Sequence, residues 1–142
     1  MDPACVFCRV SSGQAEASLV YQDGSVTAFM DILPVNPGHL LVVPNQHTPD
    51  LASLDEATGG RMFTVGVRMS QALRGAGVAC EGVNLYLADG RAAGQEVLHV
   101  HLHVLPRFAG DGFGLRRAKQ LDRSSRGELD TVAARIRSAL AG

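Results

Sequence analysis

Apolar residues recur at every second position in some stretches of the chain and at every third or fourth in others, and this change of period divides it into strands and helices. Ser18–Tyr21 and Val26–Met30 read as two strands joined by Asp23-Gly24, a hairpin turn pair. His39–Val43 is a continuous apolar run after its histidine, ended by Pro44, as expected of a strand buried on both faces. From Asp55 to Arg74 the period lengthens. Met62, Val65, Met69, Ala72 and Leu73 fall on one face of a helix that Gly75 and Gly77 stop. Val83–Leu87 and Val97–Leu105 return to strand character, the second ended by Pro106. Ser125-x-x-Glu128 is a capping box opening a last helix with Leu129, Val132, Ala133, Ile136, Ala139 and Leu140 on one stripe. Cys5–Val10 has room for one helical turn, and Gly110–Gly114 reads as flexible. Hairpins interrupted by helices predict an α+β domain with an antiparallel sheet.

Composition narrows the function classes. With 142 residues, 46% hydrophobic and 19% charged, the chain has material for one domain with a real core. A formal net charge of −1 argues against nucleic acid as a partner, although Arg107, Arg116, Arg117 and Lys119 make a local basic excess. No apolar run is long enough for a membrane span, and nothing near Met1 resembles a targeting segment, so a cytoplasmic protein with reduced cysteines is expected.

The chemistry is concentrated in His99-Val100-His101-Leu102-His103. In a strand these three imidazoles share one face, while Val100, Leu102 and Val104 share the other and can pack on a helix. The pattern alone admits a structural histidine row, a catalytic metal held by two strand histidines with His39 as a third ligand, or nucleophilic catalysis. Imidazole titrates near neutrality and attacks phosphorus competently.

The run from His99 to Leu105 resembles the motif His-φ-His-φ-His-φ-φ (φ apolar) of the histidine triad (HIT) superfamily of nucleotide hydrolases and transferases. Ala28–Ile32, Pro37–Pro44, Asp89-Gly90 with Ala93–Val97, and Leu105-Pro106-Arg107 match its other blocks in order. The resemblance implies a five-stranded antiparallel sheet with a long central helix and a C-terminal helix, in one HIT domain over 1–142 whose core is about 5–107, extended by 108–142. It implies a homodimer in which the sheet continues between subunits. His101 takes the position of the nucleophile that attacks an α-phosphorus, His103 that of the phosphate contact, and His99 and His39 those of supporting histidines. Asp31 matches the ribose-binding carboxylate, and Ile32 and Phe29 flank the base of a purine nucleotide. Gly94, Gln95, Glu96 and Val97 match the phosphate loop. Family members known from animals carry Ser or Thr where this chain has Glu96, and Asn or Gln where it has Ala88. A carboxylate facing phosphate repels it, so Glu96 is expected to turn away and leave binding to the backbone.

Histidine at the third triad position points to hydrolysis of dinucleoside polyphosphates or nucleoside phosphoramidates through a nucleotidyl-histidine. The alternatives are transfer of the nucleotidyl group to phosphate, or a purine nucleotide-binding module without turnover. The pair Cys5-x-x-Cys8 fits either two packed cysteines or half of a metal site. Bacterial relatives in this superfamily join such a pair to two histidines, which implies a structural zinc on Cys5, Cys8, His47 and His99 and no catalytic metal. Cys80 is expected to pack rather than ligate.

Overall fold

The computed structural model describes residues 1–114 and 122–142, in two compact units, Met1–Gly112 and Phe113–Gly142. The first unit contains helix α1 (Val6–Ser11) and strands β1 (Leu19–Gln22), β2 (Val26–Met30) and β3 (Leu40–Pro44). Helix α2 (Glu56–Gly75) and strands β4 (Gly82–Tyr86) and β5 (Leu102–Arg107) complete it. The strands form one antiparallel sheet in the order β1-β2-β3-β5-β4. The fold is α+β and HIT-like: five antiparallel strands, a long central helix and a C-terminal helix.

Alternation along β2 and β3 sorts the core onto two faces. Val26, Ala28, Leu40 and Val42 join Met62, Val65, Met69 and Leu73 of α2. Phe29, Leu41 and Val43 point the other way and meet Phe7 and Val10 of α1. Both faces are covered, which is why Leu40–Pro44 is buried throughout. Asp55 caps α2 by accepting the Thr58 N–H at 2.9 Å.

β1, β3 and β4 are each shifted by one residue from expectation, β3 taking in Pro44, and the largest departure is at β5. β5 starts at Leu102, not Val97, and continues through Pro106 instead of ending there. The β3 ladder covers only Leu102–Val104, so Pro106 pairs with Val83 of β4 alone and its missing N–H costs no ladder bond toward β3. Residues 97–101 stay outside the sheet ladder, where Val100 N–H donates to the Thr48 carbonyl at 2.7 Å. The face alternation nonetheless holds: Val100 packs in the α2 core, and His99 and His101 lie edge-on to Phe7. Cys80 packs beside the core, with its thiol donating to the Gly82 carbonyl.

Gly38 fixes the approach to β3. Its φ is +99°, and a Cβ there would lie 3.0 Å from Leu73 Cδ2 and 3.2 Å from Pro106 Cγ. Gly38→Ala is therefore expected to destabilise the protein by about 1–3 kcal/mol, read as a lower urea midpoint; an unchanged midpoint would show that the turn relaxes freely.

The segment expected to be flexible after β5 is anchored at its start. Asp111 receives Arg107 Nε at 2.7 Å, Asn36 Nδ2 at 2.9 Å and the Phe108 N–H. Arg107 is thus ion-paired, while Arg116, Arg117 and Lys119 lie outside the described residues. In the second unit, α3 (Arg126–Ala141) opens on the expected capping box of Ser125 and Glu128, and Leu129, Val132, Ile136 and Leu140 are exposed. No helix among the described residues is long and apolar enough to cross a membrane.

Candidate active site and metal centre

A cavity of about 500 Å³ opens on the α1 face of the sheet. His101 and His103 line it from the β5 segment, Asp31 and Ile32 from the loop after β2, and Gly94 and Glu96 from the loop before the triad.

The tautomers of the histidines follow from their partners. His101 Nδ1 lies 2.7 Å from the His99 carbonyl, which can only accept, so Nδ1 carries the proton and Nε2 keeps its lone pair. Val35 N–H donates to His39 Nδ1 at 3.1 Å, which puts the His39 proton on Nε2. That Nε2–H faces His103 Nδ1 at 2.9 Å, so His103 in turn bears its proton on Nε2. One backbone amide thereby sets two imidazoles. Asp31, with Oδ2 at 3.5 Å from His39 Nε2, completes a set with the donors of a two-histidine, one-carboxylate metal site. The proton on His39 Nε2, donated to His103 Nδ1, occupies the position a metal would need there, and Asp31 acts on that ring only as a nearby charge.

Burial depresses the His103 pKa to about 4, helped by the nearby His101 and His39 imidazoles and opposed by Asp31. Burial also lowers His39, against the pull of Asp31. Both rings are neutral in the folded protein near pH 7, whereas the unfolded chain protonates them at about pH 6.5. The unfolded state therefore binds more protons as pH falls from about 6.5 toward 4, and stability falls across that window. Urea midpoints of metal-stripped protein are expected to be lower at pH 5 than at pH 7, with a shallower slope for His103→Asn. Identical slopes would contradict a neutral, buried His103.

The other expected residues take distinct places. Phe29 is buried on the cavity wall, and Ile32 stands at the rim, 90% exposed. Gly94, with φ +89°, Glu96 and Val97 border the cavity. Glu96 is exposed there. Gln95 is buried and spends its side chain on its own loop and on the segment at Pro49. Its Oε1 accepts the Gly90 N–H at 2.7 Å, and its Nε2 donates to the Pro49 and Val97 carbonyls. Residues that the sequence reading missed are Val6, Phe7 and Val10 of α1, and Tyr86 of β4. The spacing of the first three around Cys8 marks a helix face, but only the packing shows which way it points.

Behind the triad, Cys5, Cys8, His47 and His99 bring their ligand atoms within 4.8 Å of one another. His99 Nε2 donates to the Pro44 carbonyl at 2.8 Å, leaving the Nδ1 lone pair 3.3 Å from Cys5 Sγ and 3.6 Å from Cys8 Sγ. His47 Nδ1 is 3.3 Å from Cys8 Sγ. Burial raises the Cys8 thiol above its ordinary pKa, partly offset by the Asp2 N–H. A bound cation reverses that penalty by stabilising the thiolate. Two sulfurs and two imidazoles make a cluster able to coordinate a metal, with His99 also accepting the His101 Nδ1–H through its carbonyl.

The HIT domain model matches residues 12–110. The chain belongs to the HIT family. HIT relatives match over most of their length. A HIT family protein from Bacillus anthracis superposes with a TM-score of 0.88 at 34% identity, covering 98% of this chain and 99% of its own. A Zn-bound histidine triad family protein from Mycobacterium smegmatis gives 0.75 at 39% identity, covering 96% and 97%. The purine nucleoside phosphoramidase of Escherichia coli is 37% identical over 103 residues, 70% of this HIT chain and 84% of that protein.

Proposed function

We propose that this HIT protein hydrolyses phosphoramidate or phosphoanhydride bonds at the α-phosphate of a purine nucleotide, releasing the nucleoside 5′-monophosphate. The observation that carries this reading is the pair of opposite tautomers in one cavity: a lone pair on His101 Nε2 and an N–H on His103 Nε2. A lone pair attacks phosphorus, and an N–H stabilises the oxygens on which charge grows.

In the first displacement His101 Nε2 bonds to the α-phosphorus while the bond to the leaving group breaks, a nucleotide phosphate leaving as its oxyanion and an amine leaving with a proton taken up from water. His101 keeps its Nδ1–H against the His99 carbonyl, so the intermediate is a cationic nucleotidyl-imidazolium, itself a good leaving group. Water then attacks the phosphorus, the P–N bond breaks and neutral His101 is restored, with a proton released to solvent. His103 donates its Nε2–H toward the phosphate. Asp31 accepts the ribose hydroxyls, and the apolar wall of Phe29, Phe7, Val6 and Val10, with Ile32 at the rim, takes the base. Glycine at position 94 admits close backbone approach to the phosphate. The similarity to the E. coli phosphoramidase favours the phosphoramidate as a substrate.

The metal we assign to Cys5, Cys8, His47 and His99 is zinc, in a structural role. Mixed thiolate and imidazole donors in a closed set of four suit it, and the similar M. smegmatis protein is Zn-bound.

The test is adenosine 5′-phosphoramidate turned over in ¹⁸O-water, with a rapid acid quench for mass spectrometry. The expected result is AMP carrying one ¹⁸O and a nucleotidyl adduct on the peptide containing His101. Product formed without an adduct on that peptide in the quench, by a variant lacking His101, would refute covalent catalysis there.

A further inference from the structure

Tyr86 stacks beside His103 at the wall of the cavity, and neither the triad motif nor the phosphate loop accounts for it. The β4–β5 register sets Tyr86 directly opposite His103, so both side chains leave the same face of the sheet. Their rings stack, with centroids 4.2 Å apart and planes 7° from parallel. Tyr86 also lines the cavity and remains 37% exposed, which is not the environment of a core tyrosine.

The stack supplies a restraint that the other contacts of His103 among the described residues do not. The hydrogen bond from His39 fixes one ring atom, Nδ1, at 2.9 Å. The His39 and His103 planes are tilted by 40°, and those of His101 and His103 by 59°, so neither neighbour sets the plane of the ring. The Cβ–Cγ bond and that hydrogen bond still leave coupled χ1 and χ2 motion, which tilts the ring about Nδ1 and sweeps its Nε2–H through an arc. A parallel aromatic face removes that tilt.

We propose that Tyr86 is a positioning residue for the nucleotidyl transfer: its ring fixes the plane of His103 and so aims the His103 Nε2–H at the α-phosphate. This rests on the hydrolase reading above for the identity of the target, but not for the restraint itself. The ring rather than the phenol does the work, because the Tyr86 hydroxyl has no hydrogen-bond partner among the described residues. Burial and the nearby Asp31 carboxylate raise its pKa, so the phenol stays neutral and adds no charge beside the phosphate.

The test compares Tyr86→Leu, Tyr86→Val and Tyr86→Phe with wild type in two measurements. The valine variant keeps high strand propensity, so a loss shared by Leu and Val reports the missing ring rather than a weakened strand. With adenosine 5′-phosphoramidate, Leu and Val are expected to lower kcat about tenfold with KM within about twofold of wild type, as a group that acts mainly in the transition state requires. Tyr86→Phe is expected to restore kcat. Separately, ¹⁵N spectra of histidine-labelled protein without substrate are expected to show His103 as a single Nε2–H tautomer in wild type and Phe. In Leu and Val the His103 nitrogens are expected to average. Wild-type kcat and wild-type His103 shifts in Leu and Val overturn the proposal, as does a Phe variant as impaired as Leu. A wild-type protein that does not turn over the phosphoramidate refutes the hydrolase reading, and the spectra then still decide whether Tyr86 holds His103.

Discussion

His101→Ala is expected to reduce kcat for AMP release by roughly 10⁴-fold or more, the scale on which loss of an enzyme's nucleophile is felt. The reasoning is specific to this ring. Its Nδ1–H is committed to the His99 carbonyl, so Nε2 is free to form the bond to phosphorus, and His103 presents a proton and not a lone pair to the same space. No second imidazole in the cavity offers what His101 offers. Binding is expected to survive, because the walls proposed to take the base and ribose stand on α1, on β2 and on the loop after it. AMP titrated by calorimetry into His101→Ala should give a dissociation constant within about fivefold of wild type, since groups acting only in the transition state contribute little to ground-state affinity. Turnover that persists in this variant would remove His101 from the mechanism.

The second large effect is expected from the metal. At a thousandfold excess of free zinc over its dissociation constant, binding to the folded state alone contributes about 4 kcal/mol of stability. Chelation, or Cys8→Ser, should therefore lower Tm by many degrees and release zinc measurable with a colorimetric dye. The loss will not be uniform. α1 has six residues, too few to hold a helix unaided; its N-cap Cys5 and its Cys8 are two of the four candidate ligands, and Val6, Phe7 and Val10 line the cavity. His103 stands within β5, paired to β3 and β4. Partial stripping is thus expected to raise KM more than it lowers kcat. A kcat that follows zinc content while Tm stays constant would instead assign the metal to the chemistry, and equal Tm values with and without zinc would deny it a structural role.

How much of this was legible in the sequence depended on whether a feature is local. β2 was readable to the residue, because Val26–Met30 follows a clear turn pair and is bounded by Asp31. α2 was readable to within one residue at each end, from its period and the glycines that stop it. The start of β5 was not. Val97 to His101 has the composition of a strand, but its backbone partner is the Thr48 carbonyl, a contact between segments distant in sequence. Pro106 misled for the same reason, since proline stops a strand only where a partner needs its N–H. The grouping of Cys5, Cys8, His47 and His99 came from resemblance; spacing alone left the cysteine pair ambiguous. Tyr86 looked like any strand residue in Leu-Tyr-Leu until the register placed it against His103. Gln95 looked like a ligand contact, but its amide is consumed in bonds to Gly90, Val97 and the Pro49 carbonyl.

The bond that sets the His101 tautomer has a consequence for how this site can change over evolutionary time. In a serine protease triad the orienting partner is an aspartate side chain, and one substitution removes it. Here the partner is a main-chain oxygen, which every amino acid supplies. Replacement of His99 would delete an imidazole from the metal cluster yet leave the peptide carbonyl in place, provided the segment keeps its path. The two duties of position 99 are therefore separable by mutation in one direction only. Descendants of this protein could abandon the metal and retain the nucleophile's orientation, whereas no change of side chain at position 99 alone could delete that orienting oxygen.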